Sequence, residues 1–389
     1  MSEDNFVLLE ERGNAGLITL NRPKALNALS LPMIRAITAA LLKWRDQANI
    51  ELVAIRGMGK QPEGTATAGA SSQFAPFGSF CAGGDIRFFH QAALAGDPAL
   101  EDFFTEEYSL NHLIHTYPKP YVAFMDGICM GGGMGIAGHM SSNSIRIVTE
   151  RSKLAMPETM IGLFPDVGGG YFLSRCMNSV PGMGEYLALT GELMHAADAL
   201  AVGLADVHMS SVDLASAWES LAIGAPTRDA LQGLNTPKSI ALRADSMPAT
   251  LQNRLKIETV FASGSLSDIL AKLQADSSEW AQQTSAALRK RSPLMLHVTL
   301  ELIRRARSMS LADDLRSERD LVRHCFSTRH LQRSGAATET AEGIRALAVD
   351  KDHHPKWNPA RIEDITPEMV QPFFDSPWPQ AAHPLRDLA

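Results

Sequence analysis

Two short apolar runs open the chain, FVLLEE at 6–11 and LITL at 17–20, separated by Arg12-Gly13-Asn14. Runs of that length around a Gly/Asn turn predict a β-hairpin. Asn21-Arg22-Pro23 breaks the second run, and Ser30-Leu31-Pro32 predicts a helix start, with Ser30 as N-cap and proline in the first turn. From there Met33, Ile34, Ile37, Ala40, Leu41 and Trp44 recur at helical spacing, so one face is buried. ELVAIRG at 51–57 is nearly continuous in apolar residues, as a strand covered on both faces would be.

Residues 58–79 carry no period and predict a mobile surface loop. Helical spacing returns over 98–115, followed by a strand at 121–127 (YVAFMDG), a Gly-rich turn with a short helix at 131–140, and a strand at 144–150 (SIRIVTE). Alternation of this kind predicts α/β layers. From about residue 210 the strand signal disappears, and Leu, Ala, Arg and Glu recur at helical spacing. The expected organisation is therefore an α/β core over 1–209 and a helical region over 210–389.

Composition narrows the class of protein. Of 389 residues, 45% are hydrophobic and 20% charged, which excludes disordered and collagen-like chains. The net charge of −7 argues against nucleic acid as a partner, which would demand a basic face. The excess is local: residues 1–209 hold 14 Lys/Arg against 21 Asp/Glu, while 210–389 hold 22 of each, a pattern that solvated helix faces explain. Four cysteines without a CxxC pair point to a reducing compartment. The start, MSEDNFVLLEE, has the features of neither a secretory signal nor a transit peptide. Two long uncharged stretches, 64–84 and 127–145, are too rich in small and polar residues to be membrane spans. A soluble protein with no membrane partner is expected.

Three segments can carry chemistry. GICMGGGMGIAG contains a formal GxGxxG at 133–138, but it lies far from the first strand–helix junction where a dinucleotide fingerprint belongs. Glycines that end a strand and open a helix instead present bare backbone amides to a carbonyl oxygen, which is half of an oxyanion hole. SFCAGGDI (79–86) has the same character, with Asp85 as an N-cap, and Gly84 N–H could complete a hole with Gly132. Two ordinary helix-starting turns would explain the same residues. In AMPETMIGLFPDVGGGYFL (155–173), Glu158 and Asp166 stand eight residues apart among apolar neighbours. Acids in an apolar wall have raised pKa values and can act as base, nucleophile or acid; capping a helix is the alternative for both. Glu107, in Glu106-Glu107-Tyr108, shares a helix face with Phe103, Phe104 and Leu110, an unusual setting for a surface acid. His112 with His115, and His353 with His354, lack a third ligand at metal-site spacing, so no metal is expected. GxSxG, HExxH and Walker A sequences are absent.

Taken in order, ITLNRPKALNAL (18–29), the CAGGDI turn, KPYVAFMDGICMGGGMG and AMPETMIGLFPDVGGGYFL resemble the crotonase (enoyl-CoA hydratase/isomerase) superfamily over about residues 5–205. EEYSLN (106–111), ALTG (188–191) and EGIRALAVDKDHHPKWNP (342–359) look like its 3-hydroxyisobutyryl-CoA hydrolase branch. The resemblance implies a crotonase-type spiral of ββα units with a helical C-terminal extension. It implies an oxyanion hole from the amides of Gly84 and Gly132, and catalytic roles for Glu158 and Asp166. Glu107 matches the branch's substrate-contacting glutamate, and Lys24, Ala25 and Leu26 match the loop that passes the CoA adenine. The two catalytic glutamates of the hydratases fall on Gly135 and Glu158, so one is missing. Departures from the branch are the stretch from His139 to Arg146, about three residues longer than usual, and the insertion at 58–79.

The implied reaction is hydrolysis of a short 3-hydroxyacyl-CoA, foremost 3-hydroxyisobutyryl-CoA of valine catabolism, with no cofactor beyond the CoA of the substrate. An enoyl-CoA hydratase or isomerase, and a non-catalytic acyl-CoA-binding protein, are the alternatives. A homo-oligomer is left open. The cytoplasm is expected for a bacterial source and the mitochondrial matrix for a eukaryotic one.

Overall fold

The computed structural model describes residues 5–60, 76–139, 141–222 and 249–389. The hairpin forms as expected: β1 (Val7–Arg12) runs antiparallel to β2 (Ala15–Leu20), with Val7 opposite Leu20 and Arg12 opposite Ala15. After α1 (Leu31–Asp46) the chain adds β3 (Leu52–Gly57) parallel to β2. Helices α2 (Ile86–Ala95) and α3 (Ala99–His115) precede β4 (Tyr121–Met125), β5 (Ile128–Met130) and α4 (Gly132–Ile136). The strands β6 (Ser144–Val148), β7 (Lys153–Ala155) and β8 (Val207–His208) follow. The main sheet has six strands in the order β1-β2-β3-β4-β6-β8, parallel from β2 onward.

All six periodic positions of α1 are buried. Ser30 stands at its N-cap, yet its hydroxyl makes no capping bond and is buried without a partner among the described residues. Pro32 in the first turn removes one of the amides such a cap would serve.

The loop expected over 58–79 needs correction at its ends. Gly59 N–H donates to Pro76 O at 2.7 Å and Gly78 N–H to Gly57 O at 3.1 Å. Phe77 packs on Phe124 (5.7 Å between centroids) and edge-on to Trp218. Arg56 is buried between these rings, its guanidinium 4.8 Å from Phe77 and 4.6 Å from Trp218, with Nε–H donating to Thr19 Oγ1. Such a desolvated cation–π pair contributes about 2 kcal/mol. The remaining part of that expectation, residues 61–75, lies outside the described residues.

The chain divides into two compact units. One comprises Met1–Gly84, Leu110–Leu154 and Leu193–Pro248; the other comprises Asp85–Ser109, Ala155–Glu192 and Ala249–Ala389. Each draws on separated stretches of sequence, unlike the single boundary expected at 209–210. The first unit holds the six-stranded sheet, and helix Leu214–Ala222 belongs to its core through Leu214, Ala217, Trp218 and Leu221. The second is helical, and its late helices start at side-chain caps: Ser265, Ser278, Ser292, Ser310 and Thr338 each accept a backbone N–H of their first turn. One antiparallel pair of two-residue strands, Ser327–Thr328 with Arg333–Ser334, interrupts the helical region.

Candidate active site

In the first unit, β5 ends at Met130 and Gly131 turns the chain with a φ of 49° into α4. The 79–84 stretch runs beside it: Cys81 N–H donates to Ile128 O, and Met130 N–H donates back to Cys81 O, both at 3.0 Å. A Cβ on Gly133 would sit 2.4 Å from Cys81 O, so the turns approach only because no side chain intervenes. A Cβ on Gly83 would lie 3.5 Å from Gly132 N, which puts the two glycine turns side by side. The Lys24–Leu26 segment is tied to the same place. Ala82 N–H donates to Leu26 O at 3.0 Å and Leu29 N–H to Gly83 O at 2.8 Å. Leu26 itself is exposed and left-handed, with a φ of 51°. Asp85 caps α2 as expected, accepting from Phe88 N–H at 3.3 Å.

The second unit gathers the acids. Glu107 comes from α3, Glu158 opens the 3-10 turn Glu158–Ile161, and Asp166 precedes α5 (Gly169–Leu173). They are 2%, 6% and 5% exposed, too little for solvated surface charges. Burial pushes the Asp166 carboxyl up to about 6, against the pull of the Tyr108 hydroxyl, which donates to Oδ2 at 2.8 Å. Glu158 is held well above the usual carboxylate range, first by burial and then by the Asp166 charge. Glu107 is raised the same way by burial, Asp166 and Glu158. Glu107 Oε1 and Glu158 Oε2 are buried and find no hydrogen-bond partner among the described residues. A buried carboxylate oxygen without a donor is costly, and a ligand bearing hydroxyl or water protons would relieve it.

Neither Glu158 nor Asp166 caps a helix. The amides at the start of α5 are taken by acids from far along the chain: Gly168 N–H donates to Glu318 Oε2 at 2.7 Å, Gly170 N–H to Glu318 Oε1 at 3.1 Å, and Tyr171 N–H to Asp314 Oδ2 at 2.7 Å. Both acids lie on helix Leu311–Phe326. Burial raises Asp314 to about 7, while burial, Asp314 and Asp166 raise Glu318 well above the ordinary range. A Cβ on Gly170 would meet Asp314 Oδ1 at 2.5 Å, so glycine is what lets this carboxylate close on the turn.

The structure thus brings Gly84, Gly132 and Lys24–Leu26 together in one unit, and Glu107, Glu158 and Asp166 together in the other. Tyr108, Asp314 and Glu318 escaped the sequence reading. Tyr108 could have been found from its place beside Glu107; nothing local marks the other two. A cavity of ≈ 360 Å³ in the second unit is lined by Arg289, Lys290 and Trp357 and reaches Met160, but none of the three clustered acids lines it. Among the described residues no three His, Cys, Asp or Glu side chains are grouped as a metal site would need, and no helix is long and apolar enough to cross a membrane.

Residues 15–374 match the family model described as enoyl-CoA hydratase/isomerase. The chain is 39% identical over 378 residues to a protein of Xenopus tropicalis named 3-hydroxyisobutyryl-CoA hydrolase, mitochondrial, covering 96% of this chain and 90% of that one. The human protein of the same name is 36% identical over 373 residues, covering 95% and 88%. Among solved structures, a carnitinyl-CoA dehydratase from Mycobacterium thermoresistibile superposes with a TM-score of 0.80 at 33% identity, covering 95% of this chain and 96% of that one. An enoyl-CoA hydratase from Rhodobacter sphaeroides 2.4.1 gives 0.77 at 34% identity, covering 96% and 98%.

Proposed function

The chain belongs to the enoyl-CoA hydratase/isomerase family, and from that premise we propose that it is an acyl-CoA thioester hydrolase acting on 3-hydroxyisobutyryl-CoA. The relatives of that name match 95–96% of it and are themselves covered to 88–90%. The observation that carries the reading is the buried group Glu107, Glu158 and Asp166, with raised carboxyls and two unpartnered oxygens. Gly135, buried in α4, stands where the resemblance puts the second glutamate of a hydratase. A water held between two such glutamates, as hydration requires, has only one of them here. That weighs against the hydratase and dehydratase activities in the names of the structural neighbours.

In this reading the amides of Gly84 and Gly132 receive the thioester oxygen as it gains negative charge. Losing one such donor lowers the rate by roughly 10²–10³. Glu158 acts on the thioester carbon. As nucleophile it displaces CoA thiolate and forms a mixed anhydride that water opens; as base it takes a proton from water, which adds directly. Either route yields the free acid and CoA thiol. Asp166 and Glu107 accept hydrogen bonds from the substrate hydroxyl and the water and so position them, and Lys24–Leu26 pass along the CoA adenine. No cofactor takes part beyond the CoA of the substrate. By extension from the mitochondrial relatives, the matrix is the compartment in a eukaryotic source and the cytoplasm in a bacterial one.

The test is thiol release from 3-hydroxyisobutyryl-CoA beside absorbance loss with crotonyl-CoA. Thiol release without hydration supports the hydrolase. Hydration of crotonyl-CoA without thiol release refutes it, and binding without either reaction makes the protein an acyl-CoA-binding module.

A further inference from the structure

Resting on the hydrolase reading, we propose that Tyr108 is a positioning residue for the reaction: its hydroxyl fixes the Asp166 carboxylate in one orientation and favours its charged form. The hydroxyl donates to Asp166 Oδ2 at 2.8 Å, and both side chains are buried. A donor aimed at a carboxylate favours its charged form, and away from water that preference is stronger.

The surroundings leave this donor a particular task. From α3 the cluster is faced by Glu107 and Tyr108, and from the turn after Pro157 by Glu158. Helix Leu311–Phe326 contributes Glu318 and Cys325, with Asp314 behind Glu318 and Arg175 acting on Asp314. Acids dominate that list, so the charge on Asp166 has little cationic support and rests first on the phenol, with a smaller contribution from its own backbone. Tyr108 cannot itself relieve the cluster by ionising: burial, Asp166 and Glu318 push its hydroxyl well above the ordinary phenol range, so it remains a donor. Fixed by Tyr108, Asp166 can offer its other oxygen to a substrate hydroxyl, and its charge adds to burial in raising the Glu158 carboxyl. The carboxylates titrate as a group, and the acid limb of kcat/KM belongs to them jointly.

The experiment is the pH profile of kcat/KM for thiol release, with thermal midpoints, in wild type, Tyr108→Phe and Asp166→Asn. Losing the donor makes the anionic cluster harder to form, so in Tyr108→Phe the acid limb moves up by about one pH unit, seen as roughly tenfold lower kcat/KM on the acid side and recovery on the alkaline side. Removing the Asp166 charge relieves Glu158, so in Asp166→Asn the limb of the residual rate moves down. A purely structural role for Tyr108 would lower the midpoint and leave the limb in place, and that result overturns the proposal. Should Tyr108→Phe not fold, Asp166→Asn decides: an unmoved limb means that Asp166 is not the anion Tyr108 is said to hold. Wild-type thiol release tests the hydrolase reading separately.

Discussion

Gly168 N–H and Glu318 Oε2 meet at 2.7 Å across 150 positions of sequence, and this bond decides what Asp166 is free to do. Asp166 lies two residues before Gly168, the N-cap of α5. Glu318 takes that amide and the one at Gly170, while the Asp166 carboxylate accepts from the Tyr108 hydroxyl.

Glu318→Gln should therefore weaken catalysis without touching the substrate. The amide retains one acceptor oxygen where two N–H groups need them, leaving one buried donor unsatisfied at a cost of about 1–3 kcal/mol. We expect a lower thermal midpoint together with a fall in kcat per folded molecule, as the 166–170 turn loosens. Unchanged kcat at full occupancy of the fold would detach this contact from the site.

Asp314 should leave a signature in stability against pH. Its carboxyl is raised from 3.8 to about 7 in the folded protein, chiefly by burial. The folded state then binds a proton more tightly than the unfolded chain. Its contribution is full below about pH 4 and is lost as pH rises toward 7. Asp314→Asn keeps an acceptor for Tyr171 N–H and removes the titration. The midpoint of the variant relative to wild type should rise between about pH 5 and pH 8; a constant difference across that range would show that Asp314 is not titrating as described.

The substrate hydroxyl should matter as much as the acyl chain. Glu107 Oε1 and Glu158 Oε2 are buried without donors among the described residues, and a substrate lacking the hydroxyl leaves such oxygens unmatched. Isobutyryl-CoA should turn over more slowly than 3-hydroxyisobutyryl-CoA by roughly 10⁴ in kcat/KM. Comparable values for the two would remove the specificity role assigned to these acids.

Local patterns carried much of this fold. The β1–β2 hairpin, the buried face of α1, the Asp85 cap and the strands β3, β4 and β6 follow from periodicity and turn chemistry within a few residues. Motif resemblance placed Glu107, Glu158 and Asp166, and the structure shows them in one buried group. Long-range partners were not legible. Glu318 reads as one more acid on an amphipathic helix, and only the chain's return to Gly168 makes it a cap. Ser30 looked like a capping residue because sequence does not reveal that its hydroxyl makes no bond to the first turn. Phe77 sat in a stretch without period, where burial by a distant Trp218 leaves no local trace. The interleaving of the two units has the same origin, since segments assemble by contacts that a linear boundary cannot express.

The proposed role of Glu158 at the thioester carbon stands or falls on kcat per folded molecule of Glu158→Gln. Glutamine preserves shape and hydrogen-bonding reach but is neither a competent nucleophile nor a base. With the thermal midpoint measured alongside, we expect kcat to fall by roughly 10²–10⁴ while KM changes little. Retention of more than about a tenth of wild-type kcat, well short of the loss expected of an acid–base group, would exclude Glu158 from the chemical step.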